Sequence, residues 1–137
     1  SNVEVKGKAC PLFVPLVEEG LLEDPVTEEI AQRYLSVLID SGIDTLILGC
    51  THYPLIRSTV KKVMGEEVVL VNPAYETAIE LKALLQERGL LNEHHPALGE
   101  NQYQFYVSDT AEKFKNFANS IIKYGILSAK KVNIEQY

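Results

Sequence analysis

The 137-residue sequence predicts a layered α/β fold with a parallel sheet flanked by helices. Three observations carry that expectation. Strand-type and helix-type patterns alternate about four times along the chain. Two of the strand candidates, Asp44 to Gly49 and Val68 to Val71, are nearly continuous apolar runs, as expected of parallel strands covered on both faces. No internal repeat or low-complexity tract interrupts the alternation.

Taken in order, Val3 to Ala9 alternates Val3, Val5 and Gly7 with Glu4, Lys6 and Lys8, a short strand-like pattern. Pro11 and Pro15 bracket an apolar stretch that reads as a loop leading into a short helix around Pro15 to Glu19. Thr27, with Glu28 and Glu29 behind it, suits a helix start, because a hydroxyl cap and early acids both match the positive end of the helix dipole. Ile30, Tyr34, Leu35 and Leu38 then recur at helical spacing, and Gly42 ends the helix. The strand Asp44 to Gly49 leads through Cys50-Thr51-His52-Tyr53 to Pro54, which suits the first turn of a helix continuing to Met64. After Val68 to Val71, Asn72-Pro73 opens a helix to Arg88, with Ala78, Leu81, Leu84 and Leu85 in one stripe. Leu90 to Asn101 is a polar connection, and Gln104 to Val107 is a strand. Ser108 or Asp109 then caps a helix whose Phe114, Phe117, Ile121 and Ile122 share a face, and the tail beyond Gly125 is weakly patterned.

Composition narrows the function classes. The chain is one modest domain's worth of material, with 46% apolar and 23% charged residues, which excludes disordered and collagen-like readings. Nineteen acidic against thirteen basic residues give a net charge of −6, so neither nucleic acid nor an anionic membrane is an expected partner. No apolar run approaches the roughly 18 residues of a membrane span, and a soluble protein is expected. Cys10 and Cys50 have no dense cysteine framework around them, so free thiols in a reducing compartment are expected. The start Ser1-Asn2 resembles the remnant of a cleaved tag, and the natural chain is expected to be longer.

In open α/β sheets reactive groups collect where the carboxyl end of a strand turns into the next helix. Cys50 occupies that place, and the start of a helix favours a thiolate. His52 is placed to stabilise that thiolate or relay its proton, and Thr51 offers a hydroxyl and an N–H to a carboxylate or phosphate. A lone cysteine after a strand is more often a small buried filler, and a lone histidine more often a cap or surface group. Spacing alone leaves both alternatives open. A metal site is not expected: His94 and His95 are adjacent in a loop, with no further ligand at suitable spacing. Lys113, Lys115 and Lys123 share their helix with Asp109 and Glu112 and read as solvated surface.

Leu46 to Ile56, LILGCTHYPLI, closely resembles the signature around the second catalytic cysteine of glutamate racemases, in the aspartate/glutamate racemase family. Ala9 to Gly20, ACPLFVPLVEEG, resembles the family's upstream segment, Val71 to Thr77 its next strand-to-helix junction and, more weakly, Phe105 to Asp109 a late one. The resemblance implies interconversion of L- and D-glutamate without pyridoxal phosphate or metal, for bacterial peptidoglycan synthesis in the cytoplasm. It implies that Cys50 is an acid/base thiol and that His52 assists it. It implies too that Thr51, together with His52, contacts substrate, and that Glu18 is an acid near the site, with Glu19 adjacent and easily mistaken for it. Cys10 matches no catalytic cysteine and is expected to be structural.

The departures matter as much. Family enzymes are roughly twice as long, and their first half carries an Asp-Ser pair near its start and a Cys-Asn-Thr motif; no Cys-Asn-Thr occurs here, and no Asp-Ser pair stands near the start of this chain. The resemblance therefore implies the C-terminal half of a racemase, an incomplete version of the family fold. Residues 3–72 would be part of its second domain, and residues 73–137 the segment completing the first. Its partners would be glutamate, the missing N-terminal half and, through uncovered apolar edges, a second copy of itself in a homodimer. Two other readings remain at this stage: a Cys-His hydrolase or transferase with a covalent Cys50 intermediate, or a non-catalytic interaction module with an inert thiol.

Overall fold

The structure, a computed structural model, describes residues 3–92, 104–122 and 128–136. The expectations for Ser1-Asn2, His94, His95 and Lys123 fall outside the described residues. The chain forms two compact units, residues 1–91 and 92–137.

The first unit runs α1 (Phe13–Glu18), α2 (Pro25–Asp40), β1 (Thr45–Ile47), a 3-10 turn (Tyr53–Ile56), α3 (Arg57–Met64), β2 (Val69–Val71) and α4 (Pro73–Glu87). The second runs β3 (Phe105–Val107), α5 (Ala111–Ile121), β4 (Ala129–Lys131) and a closing 3-10 turn, Ile134–Gln136. Strands are parallel and joined by helices, as the alternation predicts. Among the described residues they pair as two two-stranded sheets, β1 with β2 and β3 with β4. The tail holds a strand that its Ala-Lys-Lys sequence conceals, since β4 is defined by its pairing with β3.

Several local expectations are corrected. Val3 to Ala9 forms no strand, and Val3 and Val5 are exposed: a period of two needs a paired neighbour to become a strand. The short helix starts at Phe13, not Pro15. Thr27 is not the cap of α2. Asp24 is, accepting from the Val26 N–H, with Pro25 in the first turn. Thr27 lies inside the helix, fully buried, its hydroxyl donating to the Leu21 carbonyl at 2.5 Å. Neither Ser108 nor Asp109 caps α5; its N-cap is Thr110, without a side-chain bond. The ends of α2 and α4 follow the sequence: Gly42 and Gly89 take left-handed φ of 65° and 64° just past the helices, a conformation that costs glycine no Cβ clash.

The core of the first unit draws on Phe13 and Val17 of α1, Ala31, Leu35 and Leu38 of α2, Val60 and Met64 of α3, and Leu48, Val68 and Leu70 at the sheet. Polar bonds fasten α3 beside the start of α2: Thr59 donates to the Leu22 carbonyl at 2.7 Å, Ser58 to Glu23 at 2.8 Å, and Lys62 to Glu28 at 2.5 Å. Among the described residues the β1–β2 sheet is covered on one face only. Ile47 and Val69 remain 64% and 60% exposed on the other, contrary to the two-sided burial expected of so apolar a strand. Helix α4 has no buried residue, and Leu81 and Leu84 of its apolar stripe are exposed. In the second unit Phe105 and Phe114 pack with ring centroids 5.8 Å apart and Ala118 is buried, while Ile121 and Ile122 stay exposed.

Candidate active site

The reactive lip is built by the end of β1. Pairing continues past the strand, with the Leu48 N–H donating to the Val71 carbonyl at 3.0 Å, so the chain leaves the sheet only at Gly49. Tight bonds from Gly49 to Ile47 (3.0 Å) and from Cys50 to Leu48 (2.9 Å) turn it outward. Cys50 thus sits half-buried at the carboxyl end of the parallel pair.

The helix after the lip does not start as expected. Leu55 donates to His52 at 3.0 Å, an i to i−3 bond, so Tyr53–Ile56 is a 3-10 turn and α3 begins only at Arg57. The aligned dipole of an α-helix therefore begins well beyond Cys50, and its pull on the thiolate falls off with that distance. Charge control at the lip rests instead on its side chains.

His52 stands between two of them. Its Nδ1 lies 3.3 Å from the Thr51 hydroxyl, and its Nε2 lies 3.4 Å from Oε1 of Glu18, the last residue of α1. An ionised Glu18 only accepts, so it favours the tautomer with hydrogen on Nε2. Nδ1 of the neutral ring then accepts from Thr51, and when the ring is cationic both nitrogens donate. The structure brings Glu18, His52 and Thr51 into this line across 34 residues, with Cys50 next to Thr51 in the same turn. The His52 side chain is mostly shielded, at 24% exposure, and that of Glu18 is 41% exposed, so their attraction is partly screened by water.

Cys10 is elsewhere. It is buried, its thiol directed at the Lys8 carbonyl at 3.7 Å; burial pushes that thiol above its ordinary 9.0, against a smaller opposing effect of Lys8. Both cysteines are free thiols. Tyr53, which no sequence argument singled out, links the two regions: its hydroxyl donates to the Cys10 carbonyl at 3.2 Å. Burial, followed by the nearness of the Cys10 and Cys50 thiols, pushes its phenol above the ordinary 10.0. Tyr53 was visible within CTHYP, but a partner 43 residues upstream leaves no periodic or motif signal.

These two raised acids have a consequence for stability. An acid harder to ionise when folded stabilises the fold fully below its unfolded value, and that stability is lost as pH rises through the folded value. The urea midpoint is therefore expected to fall above pH 9.0, where unfolded Cys10 starts to ionise, and more steeply above pH 10.0 where Tyr53 joins it. Titrating the midpoint from neutral pH upward checks this. Cys10→Ala should flatten the first part of the decline, and an unchanged slope there would exclude the thiol as its cause.

Among the described residues no group of three or more His, Cys, Asp and Glu side chains is arranged to hold a metal ion, and no helix is long and apolar enough to cross a membrane.

Fold and site together define an α/β protein whose parallel strands present a thiol beside an imidazole–carboxylate pair. Its relatives are glutamate racemases, and the chain is a homologue of about half of such an enzyme. It is 41% identical to the glutamate racemase of a Thermoanaerobacter species over 136 residues, 99% of this chain and 50% of that protein. With the enzyme of Geobacter metallireducens it shares 40% identity over 98% of this chain and 48% of the relative. Among solved structures, glutamate racemase from Francisella tularensis in complex with D-glutamate superposes with a TM-score of 0.85 at 34% identity, over 99% of this chain and 50% of that one. The Thermus thermophilus enzyme in complex with β-chloro-D-alanine gives 0.81 at 36% identity, over 95% and 48%. No protein-family model matches the chain. The chain spans about half the length of the curated relatives it matches.

Proposed function

We propose that this chain is the C-terminal half of a cofactor-independent glutamate racemase and supplies one of its two acid/base thiols, that of Cys50. The observation that carries the reading is the line Glu18–His52–Thr51 beside Cys50 at the end of β1, in a chain that superposes on a glutamate racemase holding D-glutamate. In this scheme one thiolate takes the α-proton, leaving its electron pair on carbon, while a thiol on the opposite face delivers a different proton to that carbon. Two groups are needed because a single base returns the proton to the face it left. When Cys50 is the base it becomes the thiol, and His52, oriented by Glu18, resets it by passing that proton on. Thr51 holds a substrate carboxylate through its hydroxyl or N–H. An amino-acid α-C–H is a very weak acid, so dipoles aimed at the developing carbanion and exclusion of water contribute much of the rate.

The second thiol must come from outside these residues. Of the two cysteines, Cys10 is buried against the Lys8 carbonyl, so it is not the partner of Cys50. The exposed Ile47–Val69 face and the exposed stripe of α4 support a protein that continues over them, with residues 3–72 in its second domain and 73–137 completing its first. A second copy of the chain is the other candidate cover. The biological setting that follows is the bacterial cytoplasm and D-glutamate supply for peptidoglycan.

Alone, the chain is expected to leave L-glutamate optically unchanged, and to gain activity when mixed with the half bearing the other thiol. Circular dichroism decay of L-glutamate in both samples checks this, and turnover by the isolated chain at the rate of the mixture overturns the half-site reading. Deuterium uptake at the α-carbon separates proton transfer from the hydrolase or transferase alternative, which would instead leave an acyl adduct on Cys50.

A further inference from the structure

We propose that Tyr53 is a positioning residue that ties the reactive lip to the loop before α1 and so holds Glu18 at His52. Tyr53 is bonded at both ends. Its N–H donates to the Cys50 carbonyl at 3.3 Å, and its hydroxyl to the Cys10 carbonyl at 3.2 Å. The Cys10 carbonyl also receives the Phe13 N–H at 3.1 Å, at the first residue of α1. The rings repeat the link: Tyr53 and Phe13 meet edge-on, 5.3 Å apart and 83° between planes.

The position of α1 depends on such ties. At six residues it is too short to be stable by itself, and its N-cap contributes no side-chain bond. Its inner face, Phe13 and Val17, fixes its depth, and the Tyr53 hydroxyl fixes where it begins relative to the lip. Glu18 lies at the far end of the same helix, so a shift at its start moves the carboxylate away from an imidazole only 3.4 Å distant. Misplacement of about 1 Å in such a pair is enough to spoil its geometry. An ordinary phenol keeps its proton at neutral pH and burial pushes that of Tyr53 higher still, so the hydroxyl is a donor throughout that region.

The catalytic consequence rests on the racemase reading, whereas the geometry does not, and the test separates them. Long-range proton–nitrogen spectra of the whole chain at neutral pH report the His52 ring nitrogens in wild type, Glu18→Gln, Tyr53→Phe and the double variant. Tyr53→Phe keeps the ring on Phe13 and removes only the hydroxyl. Its His52 signals are expected to move in the direction of the Glu18→Gln shift and no further, and the double variant to add nothing to Glu18→Gln. Incorporating 3-fluorotyrosine at position 53, which retains the donor, is expected to leave the Glu18-dependent shift intact. Unmoved His52 signals in Tyr53→Phe, fully additive shifts in the double variant, or loss of the Glu18-dependent shift with 3-fluorotyrosine would each overturn the proposal. None of these readouts requires turnover, so failure of the racemase reading would appear separately, as absent racemisation in the mixed halves.

Discussion

Cys50→Ser, in this chain combined with the half to which the racemase reading assigns the opposing thiol, is expected to lower racemisation by about 10²–10⁴-fold, the usual contribution of a positioned acid/base group. A hydroxyl is a far weaker acid than a thiol, so at neutral pH serine neither holds the negative charge needed to take the α-proton nor gives one up readily. The two-base scheme adds a finer expectation. With Cys50 disabled the opposite thiolate still removes a proton from one enantiomer and returns it to the same face, so deuterium exchange survives on that enantiomer while inversion is lost. Circular dichroism reads inversion and mass spectrometry reads exchange. Wild-type inversion by the serine variant would remove Cys50 from the mechanism, and an acyl adduct on wild-type Cys50 would point to covalent chemistry.

Phe13→Ala is expected to cost about 3–5 kcal/mol of folding stability, the range for deleting a buried aromatic ring. The ring is 2% exposed and stands edge-on between Tyr34 at 5.6 Å and Tyr53 at 5.3 Å, so its loss leaves a cavity lined by two aromatics that cannot close it without moving α2 or the lip. Native domains are stable by about 5–15 kcal/mol, so the variant would be partly unfolded at modest urea concentrations. Equilibrium urea denaturation measures it, and a loss below about 1 kcal/mol would mean that Phe13 is not the keystone of the α1–lip contact.

Legibility in the sequence followed the range of the interactions. The helix ends at Gly42 and Gly89 and the Asn72 cap of α4 were readable because each depends on residues within one turn; Asn72 accepts from Ala74 and Tyr75. Thr27 misled because its hydroxyl looks like a cap, while Asp24 three residues earlier does that work and Thr27 bonds backward to Leu21. Val3 to Ala9 and the β4 tail failed in opposite directions for one reason: a strand is made by its neighbour, which one short segment does not reveal. At the site, Cys50, Thr51 and His52 could be found as neighbours in sequence, and the family resemblance singled out Glu18. The closeness of Glu18 to His52 and the Tyr53–Cys10 bond are properties of how α1 packs on the lip, and the 3-10 start of the following helix rests on the Leu55–His52 backbone bond.

The half-covered β1–β2 sheet also has a thermal meaning. Whatever molecule covers Ile47 and Val69 removes apolar surface from water, so joining it carries a negative heat-capacity change. Such an assembly is held together less firmly on cooling, because the drive to bury apolar surface weakens as temperature falls. For this chain the cold room is the less favourable place to look for a partner on that face.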